Sequence, residues 1–132
     1  MSTEKQNGFC VPFALGMIAG KTPNEIARLV QEERDDFGVV RGVSGAVYLN
    51  ILEKKLGIKI TASVRSPGMT IRKWAANRAK WGDKAPWLIR KSGHLMVYLD
   101  GMIYDNHVPN GAPAATHKFA TGRLVAAHQV AV

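Results

Sequence analysis

The sequence predicts one α+β domain over residues 1–132, with amino-terminal helices packed on a carboxyl-terminal antiparallel sheet. The first observation is size, because 132 residues, 46% of them hydrophobic and 21% charged, suit a single globular domain and exclude a second one. The second is periodicity: helical spacing dominates the first 82 residues, and short apolar runs separated by turn residues dominate the rest. Neither repeats nor low-complexity segments interrupt this order.

Four helices are predicted from apolar spacing and from the residues that cap helix ends. Pro12 fits the first turn of a helix, and Thr22-Pro-Asn-Glu25 combines a capping hydroxyl, a proline at the first helical position and a glutamate three residues on. Glycines are typical stops. The predicted starts are Cys10, Thr22, Ser44 and Thr70, and Gly20, Gly57 and Gly82 end the first, third and fourth helices.

The predicted strands are short, and one hairpin fixes the pairing of two of them. Asp100-Gly101 is a typical two-residue hairpin turn, which pairs Leu99 with Met102 and places Tyr104 opposite Val97. The predicted strands are Ile58–Val64, Trp87–Arg90, His94–Leu99, Met102–Tyr104 and a closing strand within Leu124–Val132.

Positive charge is concentrated in the middle of the chain. Of the 18 lysines and arginines, which face only 10 acidic residues, eleven lie between Glu53 and Lys91. We favour a solvated helix face, because no aromatic-rich nucleic-acid motif accompanies the charge. The alternative is a patch that attracts polyanions or acidic proteins. Its cations would be Arg72, Lys73, Arg78 and Lys80.

Several kinds of protein and site are not expected. The one cysteine excludes an internal disulfide and a multi-thiolate zinc site, and the spacing of His107, His117 and His128 does not suit a metal site. No apolar stretch approaches the roughly 20 residues of a membrane span. The polar amino end carries no secretory signal, so we expect a cytoplasmic protein without metal or cofactor.

Three kinds of side chain in the predicted elements suit nucleophilic catalysis. Cys10 lies at a helix amino terminus, where the peptide dipoles favour a thiolate. His94 opens a strand and could accept a proton from that thiol. The predicted hairpin brings Asp105 and Asn106 to the His94 end of the neighbouring strand, where one of them could orient the ring.

These residues, in this order, resemble the papain-like cysteine peptidase superfamily, and most closely its short members from phages and bacteria. The resemblance rests on a cysteine at a helix start, Ser-Gly-His at a strand start and Asp-Asn after a hairpin. It implies a papain-like fold, a protein or peptide substrate, no cofactor and, for a phage-encoded chain, a location in the host cytoplasm. The stretches that carry it are residues 10–22, 42–45, 56–57, 87–94 and 100–106.

The resemblance also implies a role for each site residue. Cys10 would be the nucleophile, His94 the general base and acid, and Asp105 the residue that orients the ring, with Asn106 as the competing choice. Gln6 would stabilise the oxyanion, although it precedes Cys10 by four residues rather than the family's usual six. The side chain of Asn7 or the backbone N–H of Cys10 is the alternative donor.

Two functions from different classes follow. The first is a thiol hydrolase that cleaves an amide or isopeptide bond through an acyl-enzyme, or transfers the acyl group to an amine. The second is a catalytically inactive papain-like scaffold whose basic segment, residues 53–91, binds nucleic acid or an acidic protein.

Overall fold

A computed structural model gives the fold of residues 10–38, 40, 43–65, 68–79 and 84–131, and the structural statements below concern these residues. The chain is α+β, as the sequence predicts. Among these residues, no helix has the length and apolar character that crossing a membrane requires. The helices are α1 (Cys10–Ala19), α2 (Pro23–Arg34), α3 (Gly45–Asn50, continued by a π-helical turn, Ile51–Lys55) and α4 (Ile71–Ala79). The strands are β1 (Lys59–Arg65), β2 (Trp87–Lys91), β3 (His94–Leu99), β4 (Met102–Tyr104), β5 (Ala112–Pro113) and β6 (Ala126–Ala131).

The predicted helix caps are confirmed. The Thr22 hydroxyl accepts the Glu25 N–H at 3.2 Å, and the Ser44 hydroxyl accepts an N–H three residues on at 3.3 Å. Thr70 does the same for α4 at 3.2 Å. Each cap satisfies a backbone donor that the first helical turn leaves without a partner. The predicted stop of α4 at Gly82 lies outside the described residues.

The strands form one antiparallel sheet in the order β1-β6-β2-β3-β4-β5. The predicted hairpin register is confirmed: Leu99 pairs with Met102 and Val97 with Tyr104. The turn residue Asp100 has φ 49°, and the glycine after it has φ 84°, as this turn requires. The closing strand β6 is central rather than at an edge, since it pairs with both β1 and β2.

The helices cover both faces of the sheet, a detail that the predicted α+β arrangement left open. Strand β1 comes before α4, and the two faces of the sheet carry separate apolar clusters. One cluster joins α1, α2 and α3 to Leu88 and Val97. The other joins α4 to the opposite face, where the Trp74 ring lies edge-on to Trp87 with centroids 5.2 Å apart. Both faces are covered because each presents apolar side chains that must leave water.

A bulge in β1 determines on which face of the sheet the side chains that follow it lie. The pairing with β6 shifts between Ile60 and Ala62, so Ile60 packs with the α1–α3 cluster and Ala62 with the α4 cluster. A bulge moves the following side chains to the other face. Arg65 is thereby in one row with Ala126 and Arg90, on the face that carries α1.

Candidate active site

Cys10 is the first residue of α1 and is half-buried against the start of β3. Cys10, His94 and Leu95 line one pocket, and the thiol lies within interaction range of the His94 ring. Helix α1 packs against β3, which fixes this approach. Cys10, the predicted nucleophile, therefore lies where the start of α1 meets the His94 imidazole.

His94 connects the sulfur to a carboxylate. Its Nε2 lies 2.7 Å from Oδ2 of Asp105, which leaves Nδ1 for the Cys10 sulfur. Only 9% of the His94 side chain is exposed, and none of the Asp105 side chain is. Because Asp105 occupies Nε2, Nδ1 is the ring nitrogen that can exchange a proton with the thiol.

Asp105 is held rigidly just after β4. Its Oδ1 accepts the backbone N–H of His107 at 3.0 Å and of Val108 at 2.7 Å, the pattern of an Asx turn. Oδ2 remains for His94. The short turn thus aims one oxygen at the imidazole and occupies the other with the backbone.

Asp105, rather than Asn106, contacts His94. The Oδ1 of Asn106 is buried and has no hydrogen-bond partner among the described residues. Gln6 and Asn7, the side chains considered for the oxyanion, lie outside the described residues. The Cys10 N–H remains as a donor, since the first N–H groups of a helix have no partner within the helix.

The pKa values of the three groups shift in the directions that an ion pair requires. Burial raises the pKa of the Cys10 thiol, but hydrogen bonds from His94 and Leu95 outweigh this and leave it lowered. Burial lowers the pKa of His94, but Asp105 and Cys10 together raise it to about 9. For Asp105 the bonds from His94 and the Val108 N–H outweigh burial, so its pKa is lowered. The arrangement favours a thiolate beside an imidazolium near neutral pH.

A second histidine, which the sequence reasoning did not assign, lies behind Asp105. The His117 side chain is fully buried, and its Nδ1 accepts the Phe119 N–H at 3.1 Å. The neutral ring therefore carries its proton on Nε2, which lies 3.7 Å from Oδ2 of Asp105, too far for a good hydrogen bond. Burial lowers the pKa of His117, so the ring is neutral at pH 7. No local pattern in the sequence marks this residue.

The Phe119 ring packs against both His94 and His117. Its ring centroid is 4.7 Å from that of His94 and 5.8 Å from that of His117. An apolar ring at this distance shields the bond between His94 and Asp105 from water, which strengthens it. The sequence reasoning also missed this residue, because it lies in an irregular segment beyond the hairpin.

A pocket of about 440 Å³ opens beside Cys10 and His94. Arg90 and Tyr48 line it together with apolar side chains. The sequence did contain a signal for Arg90, because a two-residue turn at Ser92-Gly93 pairs Lys91 with His94 and therefore places Arg90 opposite Leu95. This pocket is where a group attached to the reacting carbonyl would lie.

The remaining residues of interest lie away from the thiol. Arg72 and Lys73 are exposed on α4, across the sheet from α1, and the Arg78 guanidinium lies 5.5 Å from the centre of the Trp87 ring. Lys80 lies outside the described residues. Within the described ranges, no three His, Cys, Asp or Glu side chains are grouped as a metal site would require.

Comparison with known proteins adds no relative. No family model, curated protein or solved structure matches the chain.

Proposed function

We propose that this protein is a papain-like thiol hydrolase that cleaves an amide or isopeptide bond of a protein or peptide. The observation that carries the proposal is the arrangement of three side chains: Cys10 and His94 line one pocket, and the His94 ring lies 2.7 Å from the Asp105 carboxylate. Nucleophile, base and orienting acid in this geometry are the parts that acyl transfer through a covalent intermediate requires. The pocket beside the sulfur supplies room for a substrate.

The chemistry needs no group beyond these residues and water. The Cys10 thiolate attacks the carbonyl carbon, and the Cys10 N–H stabilises the oxyanion. The His94 imidazolium then gives its proton to the leaving nitrogen as the carbon–nitrogen bond breaks, which leaves a thioester. Neutral His94 next takes a proton from water, whose oxygen displaces the thiolate and releases the acid. An amine in place of water would make the reaction an acyl transfer.

The reactivity of Cys10 tests the ion pair. Iodoacetamide should alkylate the wild-type thiol with a half-maximal rate at a pH well below about 8.5, the value of a free cysteine, and His94→Ala should return it to about that pH. His107→Ala is the matched control, since its ring lies 5.6 Å from that of His94 but has no bond to the sulfur. A wild-type profile centred near the free-thiol value would contradict the proposal.

A minimal ester tests the acyl-enzyme. With p-nitrophenyl acetate, mass spectrometry should find an acetyl group on Cys10, and the wild type should release p-nitrophenolate repeatedly. His94→Ala should do neither at a comparable rate. Faster turnover on adding hydroxylamine would identify deacylation as the slow step and an amine as a competent acceptor. Release of p-nitrophenolate without acetylation of Cys10 would refute the mechanism.

The inactive scaffold that binds polyanions is the second candidate. It is favoured by the exposure of Arg72 and Lys73 on the outer surface of α4. Arg78 adds less, because its guanidinium packs on an aromatic ring. An unreactive Cys10 together with tight, salt-sensitive binding of nucleic acid would favour this candidate.

A further inference from the structure

The pocket beside the thiol has an arginine in its wall and another close behind it. We infer that it binds a substrate carboxylate next to the reacting carbonyl, chiefly through Arg90, with Arg65 as the second cation. This inference rests on the proposed function, since it names the substrate class of the same site. It makes the enzyme selective for acyl groups that carry a negative charge.

Strand pairing places Arg90 next to the reacting atoms. Arg90 pairs with Leu95, and both line the pocket that Cys10 lines. Directly paired side chains of neighbouring strands stand on the same face, with backbones about 4.8 Å apart. The guanidinium is therefore on the face where the thiolate lies.

Arg65 reaches the same region from the other side of β6. It pairs with Ala126, which in turn pairs with Arg90, so a single alanine separates the two arginines across the sheet. Both arginines line a second pocket of about 420 Å³, which shares Arg90 and Tyr48 with the first. The two pockets therefore adjoin, and the small side chain of Ala126 leaves the space between the cations open.

Tyr48 joins the two pockets. It is 2% exposed, and it lines both pockets together with Arg90. Burial raises its pKa, although the charges of Arg90 and Arg65, which line the second pocket with it, act in the opposite direction. A neutral hydroxyl at this point can donate to a carboxylate that the guanidinium also holds.

No protein carboxylate neutralises this pair of charges within the described ranges. Neither Arg65 nor Arg90 forms a salt bridge there, and the Asp105 carboxylate of the site is occupied by His94 and two backbone N–H groups. Val11, Val43 and Leu95 supply apolar wall to the first pocket. A half-buried guanidinium without an acidic partner gains most from an anionic ligand, and its planar fork matches a carboxylate.

The carboxylate has two sources, an acidic side chain on the acyl residue or a free α-carboxylate close to the scissile bond. The first is tested with a pair of vinyl methyl sulfones built on N-acetylglutamate and N-acetylglutamine, which differ only in the charge of the side chain. The thiolate adds to the alkene carbon next to the residue's Cα, and the carbon that bears the sulfone takes a proton. We expect the glutamate probe to label Cys10 about tenfold faster than the glutamine probe.

Variants of the two arginines test whether the pocket causes the difference between the labelling rates of the two probes. Arg90→Gln should bring the ratio close to one, and Arg65→Gln, an exposed position at the end of β1, should lower it by a smaller factor. Arg90→Lys should keep part of it. Arg28→Gln is the matched control, because it removes the same charge from an exposed position on α2 and should leave the ratio unchanged. If the ratio of labelling rates falls equally in all three glutamine variants, net charge alone explains the effect, and the inference is overturned.

Protection from iodoacetamide separates the two sources. N-acetylglutamate α-amide carries only the side-chain carboxylate, and N-acetylglutamine carries only the α-carboxylate. Stronger protection by one of them, lost in Arg90→Gln, identifies the source. Protection by neither, with a probe ratio near one and an alkylation profile that is still shifted, overturns this inference alone. An unshifted iodoacetamide profile in the wild type overturns the proposed function and this inference with it.

Discussion

His94 Nε2 and Asp105 Oδ2 are 2.7 Å apart, in a contact from which water is almost entirely excluded. The residues are eleven positions apart in sequence and are brought together by the tight hairpin between β3 and β4. The same imidazole lines one pocket with Cys10. A change at Asp105 should therefore be detectable at the sulfur, although the two residues do not touch.

Asp105→Asn should lower the pKa of His94 from about 9 by about one unit or more, because the neutral amide no longer stabilises the imidazolium. The thiolate at neutral pH should become scarcer, and alkylation by iodoacetamide should slow. NMR titration of the His94 ring protons measures the first effect directly. Asn106→Ala is the control, since the Asn106 Oδ1 makes no hydrogen bond among the described residues. Equal shifts in both variants would argue against a specific role for Asp105.

The contribution of Asp105 to the free energy of unfolding should decrease as the pH falls. Its folded pKa is lowered from 3.8, so its contribution is present above that value and is lost as the pH falls through the lower folded pKa. The free energy of unfolding of the wild type should exceed that of Asp105→Asn at pH 6, and the gap should narrow below about pH 4. Urea unfolding at several pH values provides the measurement. A gap that widens in acid would show the opposite sign.

His94 should show the reverse dependence. Its pKa rises from 6.5 to about 9 on folding, so its contribution is complete below 6.5 and disappears as the pH rises through about 9. The difference in unfolding free energy between the wild type and His94→Gln should therefore be larger at pH 6 than at pH 10. A pH-independent difference, seen by the same urea titrations, would mean that His94 contributes packing and no charge.

Gly16→Ala should destabilise the protein even though alanine favours helices more than glycine does. A Cβ at this position would lie 2.6 Å from the Lys21 carbonyl oxygen, a backbone atom that cannot rotate away. We expect a loss of about 1–3 kcal/mol in unfolding free energy, typical of overpacking. Met17→Ala, at an exposed neighbouring position on α1, should cost much less. Thermal unfolding of the two variants compares them, and an unchanged or higher Tm for Gly16→Ala would contradict this packing.

The basic surface of α4 should act independently of the thiol. The second candidate function predicts that a short duplex DNA binds at low salt, given the net charge of +8, and dissociates as salt is raised. Replacing Arg72 and Lys73 with glutamine should weaken this binding in a fluorescence anisotropy titration. The same double variant should keep the wild-type rate of Cys10 alkylation, because α4 lies across the sheet from α1. A slower alkylation would mean that the two faces are coupled.

Local signals in the sequence were sufficient for much of the fold. Thr22 and Thr70 cap helices as predicted, and Ser44 caps the helix that was predicted to begin near it, because a hydroxyl needs only the next three residues to find its donor. The hairpin at Asp100-Gly101 was equally predictable, since its turn fixes the register of both strands. That register also predicted that Asp105 or Asn106 would lie near His94.

What the sequence determined by itself is therefore short-range: helix starts, one hairpin and a single cysteine at a helix tip. The tertiary structure alone decided that Asp105 faces the imidazole, that β6 inserts beside β1, and that His117 is buried behind the site. It also decided, through the bulge in β1, that Arg65 and Arg90 share a face. These outcomes depend on pairing and burial between segments far apart in sequence, which apolar periodicity within one segment does not encode.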